Sequence, residues 1–477
     1  MSDLNEILEK IRPNRSALFG FFSMMPKGGD LHHHYSGSIY TESYIDYVFQ
    51  KDYYINEETL EILKDIVQLP VDIQKEWKKL SAVANKDKIK LKLLRYWSSK
   101  DFVKGVLSQD EHFFATFAAF NIPSKENYLE NLRELKNRAL NQKVSYLETI
   151  FISANTKEIQ LANEADLDKQ LLEWQKAKDE NSLVLLLEEL FTSLKTDIKS
   201  AADKHTKLVE DYHKSSGVED NNFKLRFQNY VARYKQPVDV FVDLYTCFHS
   251  ANSSELICGV NIVAAENGEV AMRDYWLHTM FYKFLEQKYP DVKYAIHAGE
   301  LVSGMVQPEN LGTHIRQSLV LNNLKRIGHA VDIIYDNDFV GTIRKLKAKK
   351  VAIEINLTSN EFILGVADDL HPIEIYFRND IPIVISTDDE GVLRTSITEQ
   401  YVLLAHRYKL TWDEIKNVVR NSIIHSNIKD EQTKTQLLAN LDQEFVKFET
   451  VVIEFYNPIV SPAENLTELK FMSLNFN

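Results

Sequence analysis

Eight short strand-like runs, each followed by residues at helical spacing, set the tightest limit on what this 477-residue chain can fold into. They are Gly29 to His34, Val144 to Phe151, Phe223 to Tyr230, Ile257 to Ala264, Val292 to His297, Arg326 to His329, Val351 to Asn356 and Ile383 to Thr387. Strands alternating with helices give a parallel sheet with crossover helices. Eight is the number that closes such a sheet into a (β/α)8 TIM barrel. A doubly wound open sheet is the alternative, but no glycine-rich phosphate loop follows the first run. The expected class is therefore α/β, as a closed barrel.

Two intervals exceed what a barrel's helices and loops need. They read as helical insertions after strands 1 and 2, at about 40–142 and 153–222. The first carries KDKIKLKLL and the rings Phe113, Phe114, Phe117 and Phe120. Because it leaves the C-terminal end of a strand, it either packs against the barrel or closes over its pocket. The second reads as long amphipathic helices on the barrel's exterior. Residues 1–25 are expected to form an N-terminal helical extension and 26–477 a single barrel domain, a size that barrels with insertions reach.

Charge narrows the partners. Lys and Arg total 56 against 69 Asp and Glu, and the net charge of −13 disfavours a nucleic-acid backbone or an anionic membrane. A small, roughly neutral ligand suits it better. No run of about 18 apolar residues occurs, and the opening MSDLNEILEKIRPNRS lacks the apolar core of a signal peptide, so the expected location is cytoplasmic. Cys247 and Cys258 are the only cysteines, which excludes a disulfide framework and a four-cysteine zinc site and leaves open whether the two pair.

The polar residues that stand out close the runs, where barrel enzymes place their catalytic groups. In LHHH, strand alternation puts His32 and His34 on one side, as two ligands of one metal require, and His33 on the other. His297 ends AIHAGE's apolar run, with Glu300 three residues on, and His329 ends RIGHA. IVISTDDE leads a buried strand into Asp388 and Asp389, two carboxylates that are costly there unless paired or metal-bound. Singly, these fragments fit a surface histidine cluster, a solvated turn or a helix cap. Together they offer three imidazoles and one carboxylate to a divalent ion with an open position for water, plus a further Glu, His and Asp. Zinc suits that set best, and iron or cobalt would also fit it.

These residues resemble a known family. MPKGGDLHHHYSG, AIHAGE, RIGHA and STDDE are similar, in order, to the motifs of adenosine deaminases, over Pro26 to about Tyr401. GVNIVAAENGEV and STDDEGVLRT resemble the adenosine deaminase growth factor branch, although only 25 residues precede Pro26, fewer than that branch's dimerisation segment. The resemblance implies one zinc per chain, held by His32, His34, His297 and Asp388. It implies that Glu300 protonates purine N1, that His329 accepts a proton from the attacking water and orients it, and that Asp389 bonds to N7. Gly259 would lay its backbone against the purine. The expected activity is hydrolytic deamination of adenosine and 2′-deoxyadenosine to inosine and ammonia, with no nucleic-acid or membrane partner; a homodimer is compatible with it.

Three positions depart from the family pattern. Ser36 stands where the common enzymes carry an Asp for the ribose 5′-hydroxyl, Ala330 replaces a Gly, and Glu390 replaces a Pro. Two other functions are alternatives: deamination of another 6-substituted purine, such as AMP or a methylated adenine nucleoside, and a growth-factor-like binding protein without turnover. The presence of Glu300, His329 and Asp389 counts against the last.

Overall fold

The computed structural model describes residues 3–105 and 107–460. All eight runs are strands of one parallel sheet: β1 (Gly28–His34), β2 (Val144–Ile150), β3 (Lys224–Ala232), β4 (Ile257–Val263), β5 (Tyr294–Ala298), β6 (Leu324–His329), β7 (Ala352–Ile355) and β8 (Ile383–Ile385). They lie side by side in chain order. At the mouth, β1 meets the residues just after β8: the His34 N–H donates to Asp388 O at 3.1 Å and the Asp388 N–H to His32 O at 2.9 Å. The expected barrel is present, and its seam runs through three of the residues singled out for chemistry, His32, His34 and Asp388.

Helices cover the outer face because the strands are apolar on both sides, as buried parallel strands are. The helix Pro237–Ser253 shows how. Pro237 sits at its first turn, where the missing N–H is harmless, and the helix buries Val238, Phe241, Leu244, Tyr245 and Phe248 against the sheet and its neighbours. Two N-terminal helices, Asp3–Ile11 and Arg15–Met24, dock on the helices at the other end of the chain. The buried Arg12 guanidinium donates to Tyr408 O at 3.0 Å and Leu410 O at 2.8 Å, and Phe21 meets Trp412 and Phe448 edge-on. The expected domain's last residues, 461–477, lie outside the described residues.

The second insertion is helical, as expected: Glu164–Ala177, Glu180–Ser193 and Lys195–Ser216 bury Leu171, Leu187, Ile198 and Val209. The first is not helical throughout. Besides Thr41–Gln50, Lys86–Tyr96, Gln109–Ala119 and Tyr128–Asn141 it holds an antiparallel sheet of Ile62–Leu63, Tyr54–Asn56 and Trp77–Lys79. Strands of two or three residues are too short to display a period of two, so their pattern is lost among helices. Cys247 and Cys258 are buried and unpaired. Among the described residues no helix is long and apolar enough to cross a membrane.

The barrel's interior is not wholly apolar. Arg326 on β6 reaches Glu148 on β2 and, at 2.5 Å through Nε, Glu354 on β7; all three are fully buried. Glu148 also accepts from Tyr146 OH at 2.8 Å and from the Asn427 N–H at 3.0 Å. Glu354 turns its second oxygen to His32 Nδ1 at 2.6 Å. Burial would raise the Glu354 carboxyl, but Arg326 and His32 outweigh it and hold it below the ordinary value. Removing one member of such a buried set strands the others. Arg326→Leu should therefore cost about 3–5 kcal/mol of stability, read as a fall in unfolding midpoint well beyond that of Arg326→Lys.

Candidate active site

Four nitrogen and oxygen donors converge at the mouth. His34 Nε2 and His297 Nε2 are 3.2 Å apart, and Asp388 Oδ1 lies 3.4 Å from His32 Nε2 and 3.3 Å from His34 Nε2. Donors about 2.0–2.1 Å from one tetrahedral ion stand roughly 3.3–3.4 Å from each other, so the spacing is that of a ligand set. His32 Nε2 is buried with no hydrogen-bond partner, which is the state of a ligand atom. The charges agree with this. Burial presses His34 down to about 4 and His297 well below its ordinary value, keeping both as neutral imidazoles. Burial would also lower His32, but Glu354 and Asp388 draw positive charge to it, and an ion would supply that charge. The residues present thus fit a divalent metal.

Two partners orient the histidines. Glu354 takes the Nδ1 proton of His32, and Asn261 Oδ1 faces His297 Nδ1 at 2.9 Å, so each ring turns its Nε2 lone pair inward. His33 points away to Thr149 Oγ1 at 2.8 Å. Glu300 is placed through its backbone: Glu266 accepts from the Gly299 N–H at 2.9 Å and the Glu300 N–H at 2.8 Å, and its Oε1 lies 2.5 Å from His314 Nδ1. Burial, then the Asp388 and Glu266 carboxylates, pushes the Glu300 carboxyl well above its usual range. His329 Nε2 lies 3.6 Å from Glu300 Oε1 and 3.9 Å from Asp388 Oδ2. Its backbone is left-handed, as is that of Asp388, a strain typical of functional turns.

Asp389 sits beside this group, buried, with Oδ1 unpartnered. Burial and the neighbouring Asp388 carboxylate raise its carboxyl well above the ordinary value. A Cβ at Gly37 would come within 1.7 Å of that oxygen, so the chain after β1 must have a glycine there. Ser36 lies in the same helical turn, half-buried, its carbonyl accepting from Tyr44 OH at 2.9 Å. Ala330 takes a left-handed conformation, the reason a glycine would also serve there. Glu390 binds Arg138 Nε at 2.9 Å and accepts from Gln142 Nε2 at 2.6 Å, tying the loop after β8 to the first insertion.

Gly259 is not part of the group, which corrects the expectation for it. It is the third residue of β4, near that strand's start, and a Cβ there would meet the Asn427 amide and Lys293 O. Four residue steps separate it from Val263 at the mouth, roughly 13 Å of strand. The mouth position after β4 is Ala264, which has a left-handed backbone.

Glu354, Asn261, Glu266 and Asn360 escaped the sequence reading. The first two lie mid-strand, where a polar residue in an apolar run, IEI and VNIV, was the signal available. The insertion helix Gln109–Ala119 bridges the mouth from the loop after β4, where Asn267 Nδ2 donates to Asp110 Oδ2 at 3.1 Å, to the helix Leu357–Leu364 after β7, against which it packs. Phe113 and Phe120 are buried and Phe117 touches both, so these rings hold the helix in place.

The family model described as adenosine deaminase matches residues 224–444. An adenosine deaminase of Clostridium acetobutylicum is 26% identical over 56% of this chain and 78% of its own length. For several other curated relatives the match spans less than half of their length. Two solved structures share the fold. The Arabidopsis N6-mAMP deaminase superposes with a TM-score of 0.56 at 17% identity, covering 89% of this chain and 99% of its own. An amidohydrolase from Burkhoderia ambifaria, solved with bound Zn, gives 0.54 at 14% identity over 91% and 94%.

If these donors form a metal site, chelator-stripped protein should gain melting temperature on adding zinc, by about 2.7 kcal/mol of stabilisation at a hundredfold excess over Kd. His32→Ala should abolish that gain. A gain that survives the substitution would place the ion elsewhere.

Proposed function

Because residues 224–444 match the adenosine deaminase family model, we propose that the chain is a member of that family and hydrolyses the 6-amino group of adenosine and 2′-deoxyadenosine, giving the 6-oxo purine nucleoside and ammonia. The observation that carries this is the pair of buried carboxyls, Glu300 and Asp389, both pushed toward the protonated form on either side of Asp388 in the barrel mouth. A neutral purine offers ring nitrogens that only accept hydrogen bonds. Two protonated carboxyls are donors suited to such a ring, where ionised ones would repel its lone pairs.

His32, His34, His297 and Asp388 would hold one zinc ion per chain. Zinc held there would lower the pKa of a water toward neutrality. Glu300 donates its proton to N1 as the water oxygen adds to C6, so that charge does not build up on the ring. Asp389 donates to N7 and fixes the ring's orientation. His329 faces the reacting oxygen through Nε2. Of the water's two protons, one returns to Glu300 and the other reaches the 6-amino group, which leaves as ammonia while N1 keeps its proton in the 6-oxo product. The helix Gln109–Ala119 keeps bulk water out while the site is filled. Ser36 meets the sugar end, where a neutral hydroxyl discriminates less than a carboxylate would.

The test is a spectrophotometric screen of adenosine, 2′-deoxyadenosine, 5′-deoxyadenosine, adenine, AMP and N6-methyl-AMP, with metal quantified on the same sample. Adenosine and 2′-deoxyadenosine should turn over, with 5′-deoxyadenosine within about tenfold of adenosine. Turnover confined to the nucleotides or to the free base would reject the nucleoside assignment. Glu300→Gln should keep its zinc and lose roughly a thousandfold or more in kcat. Loss of the metal in that variant would make Glu300 a ligand instead of the acid.

A further inference from the structure

We propose, resting on the deaminase reading of this site, that Asn360 and His371 are positioning residues that hold His329 in the tautomer with its proton on Nε2. His329 then meets the attacking oxygen as a hydrogen-bond donor and takes no proton from it. Three buried side chains in a row carry this inference. At the far end, the Ile373 backbone N–H donates to His371 Nδ1 at 3.2 Å. A ring nitrogen that accepts has its lone pair outward, so the proton of neutral His371 is on Nε2. That nitrogen lies 3.0 Å from Asn360 Oδ1. The Asn360 amide nitrogen lies 2.9 Å from His329 Nδ1 and donates to it.

The direction of the whole row is set by a group that cannot turn round. A backbone N–H is always a donor, whereas the amide of Asn360 and both imidazoles could in principle be reversed. Flipping Asn360 would press its NH2 against the Nε2–H of His371. That link would then be lost in an environment where no water replaces it, since Asn360, His371 and His329 are 0%, 3% and 1% exposed. Burial, with Arg407 adding to it, lowers His371 to about 3 and keeps it neutral. His329 Nδ1 is thus occupied as an acceptor, and the proton of the neutral ring is on Nε2, the nitrogen that faces Glu300 and Asp388. A donor at that point steadies negative charge gathering on the attacking oxygen.

The test is long-range proton–nitrogen NMR on full-length, metal-loaded protein labelled at its histidines, with His329→Asn identifying the His329 signals. At neutral pH, His329 should show an unprotonated Nδ1 and a protonated Nε2. Asn360→Asp replaces the donor by an acceptor; it should move the proton to Nδ1 and lower kcat by roughly a hundredfold or more, with KM and bound metal unchanged. His371→Leu should also lower kcat, whereas His371→Gln, whose amide still donates to Asn360, should restore it. A proton on Nδ1 in the unaltered protein would overturn the proposal, as would full turnover by Asn360→Asp with its proton moved. If the protein turns over no purine while Nε2 carries the proton, the deaminase reading fails and the relay stands.

Discussion

One guanidinium inside the barrel makes the mouth chemistry feasible. Arg326 is the cation that two buried carboxylates, Glu148 and Glu354, share. Without it the burial that raises the Glu354 carboxyl would lose its strongest opposing charge. Because Glu354 stays ionised, it can take the Nδ1 proton of His32 and turn that ring's Nε2 toward the other donors. The link joins β2, β6 and β7 to β1, so the same interaction that locks four strands together also aims one of the converging donors. Stability and orientation are not separable here.

The mouth repeats this arrangement with backbone groups. Glu266 receives the N–H groups of Gly299 and Glu300 and stands next to His314 and Arg233, and the surplus of donors holds its carboxyl at about 2 despite burial. That fixed negative charge is one of the reasons Glu300, next to it, keeps its proton. Asp388 acts likewise on Asp389. Four carboxyls lie close together, and the site sorts them: Glu266 and Asp388 are held below the ordinary carboxylate range, and Glu300 and Asp389 are pushed above it.

The fold was legible because barrel strands are buried on both faces, and a short apolar run between helices is hard to mistake when it recurs eight times. That His32, His34, His297 and Asp388 come together was legible because they close those runs. What was missed follows from the same logic. Glu354 and Asn261 lie inside runs, where a lone polar residue looks like an interruption. Their meaning depends on which strand they face, and only the three-dimensional order of strands shows that. Gly259 was misplaced along its own strand, since the resemblance set the strand but not the end of it that faces the mouth. The small sheet of Tyr54–Asn56 and its neighbours was hidden by its shortness.

The seam between β8 and β1 has a consequence in time. His32 and His34 belong to the first strand made, while Asp388 follows the last, and the His34 and Asp388 backbones join them. At a synthesis rate of 5–20 residues per second, Asp388 appears roughly 20 to 70 s after the two histidines. During that interval the histidines face their surroundings with neither the fourth donor nor a closed cylinder around them. An ion bound early would rest on two imidazoles, and on a third only once His297 has been made, with no carboxylate to complete the set. The residue after the last strand decides whether the donors of the first can close around an ion.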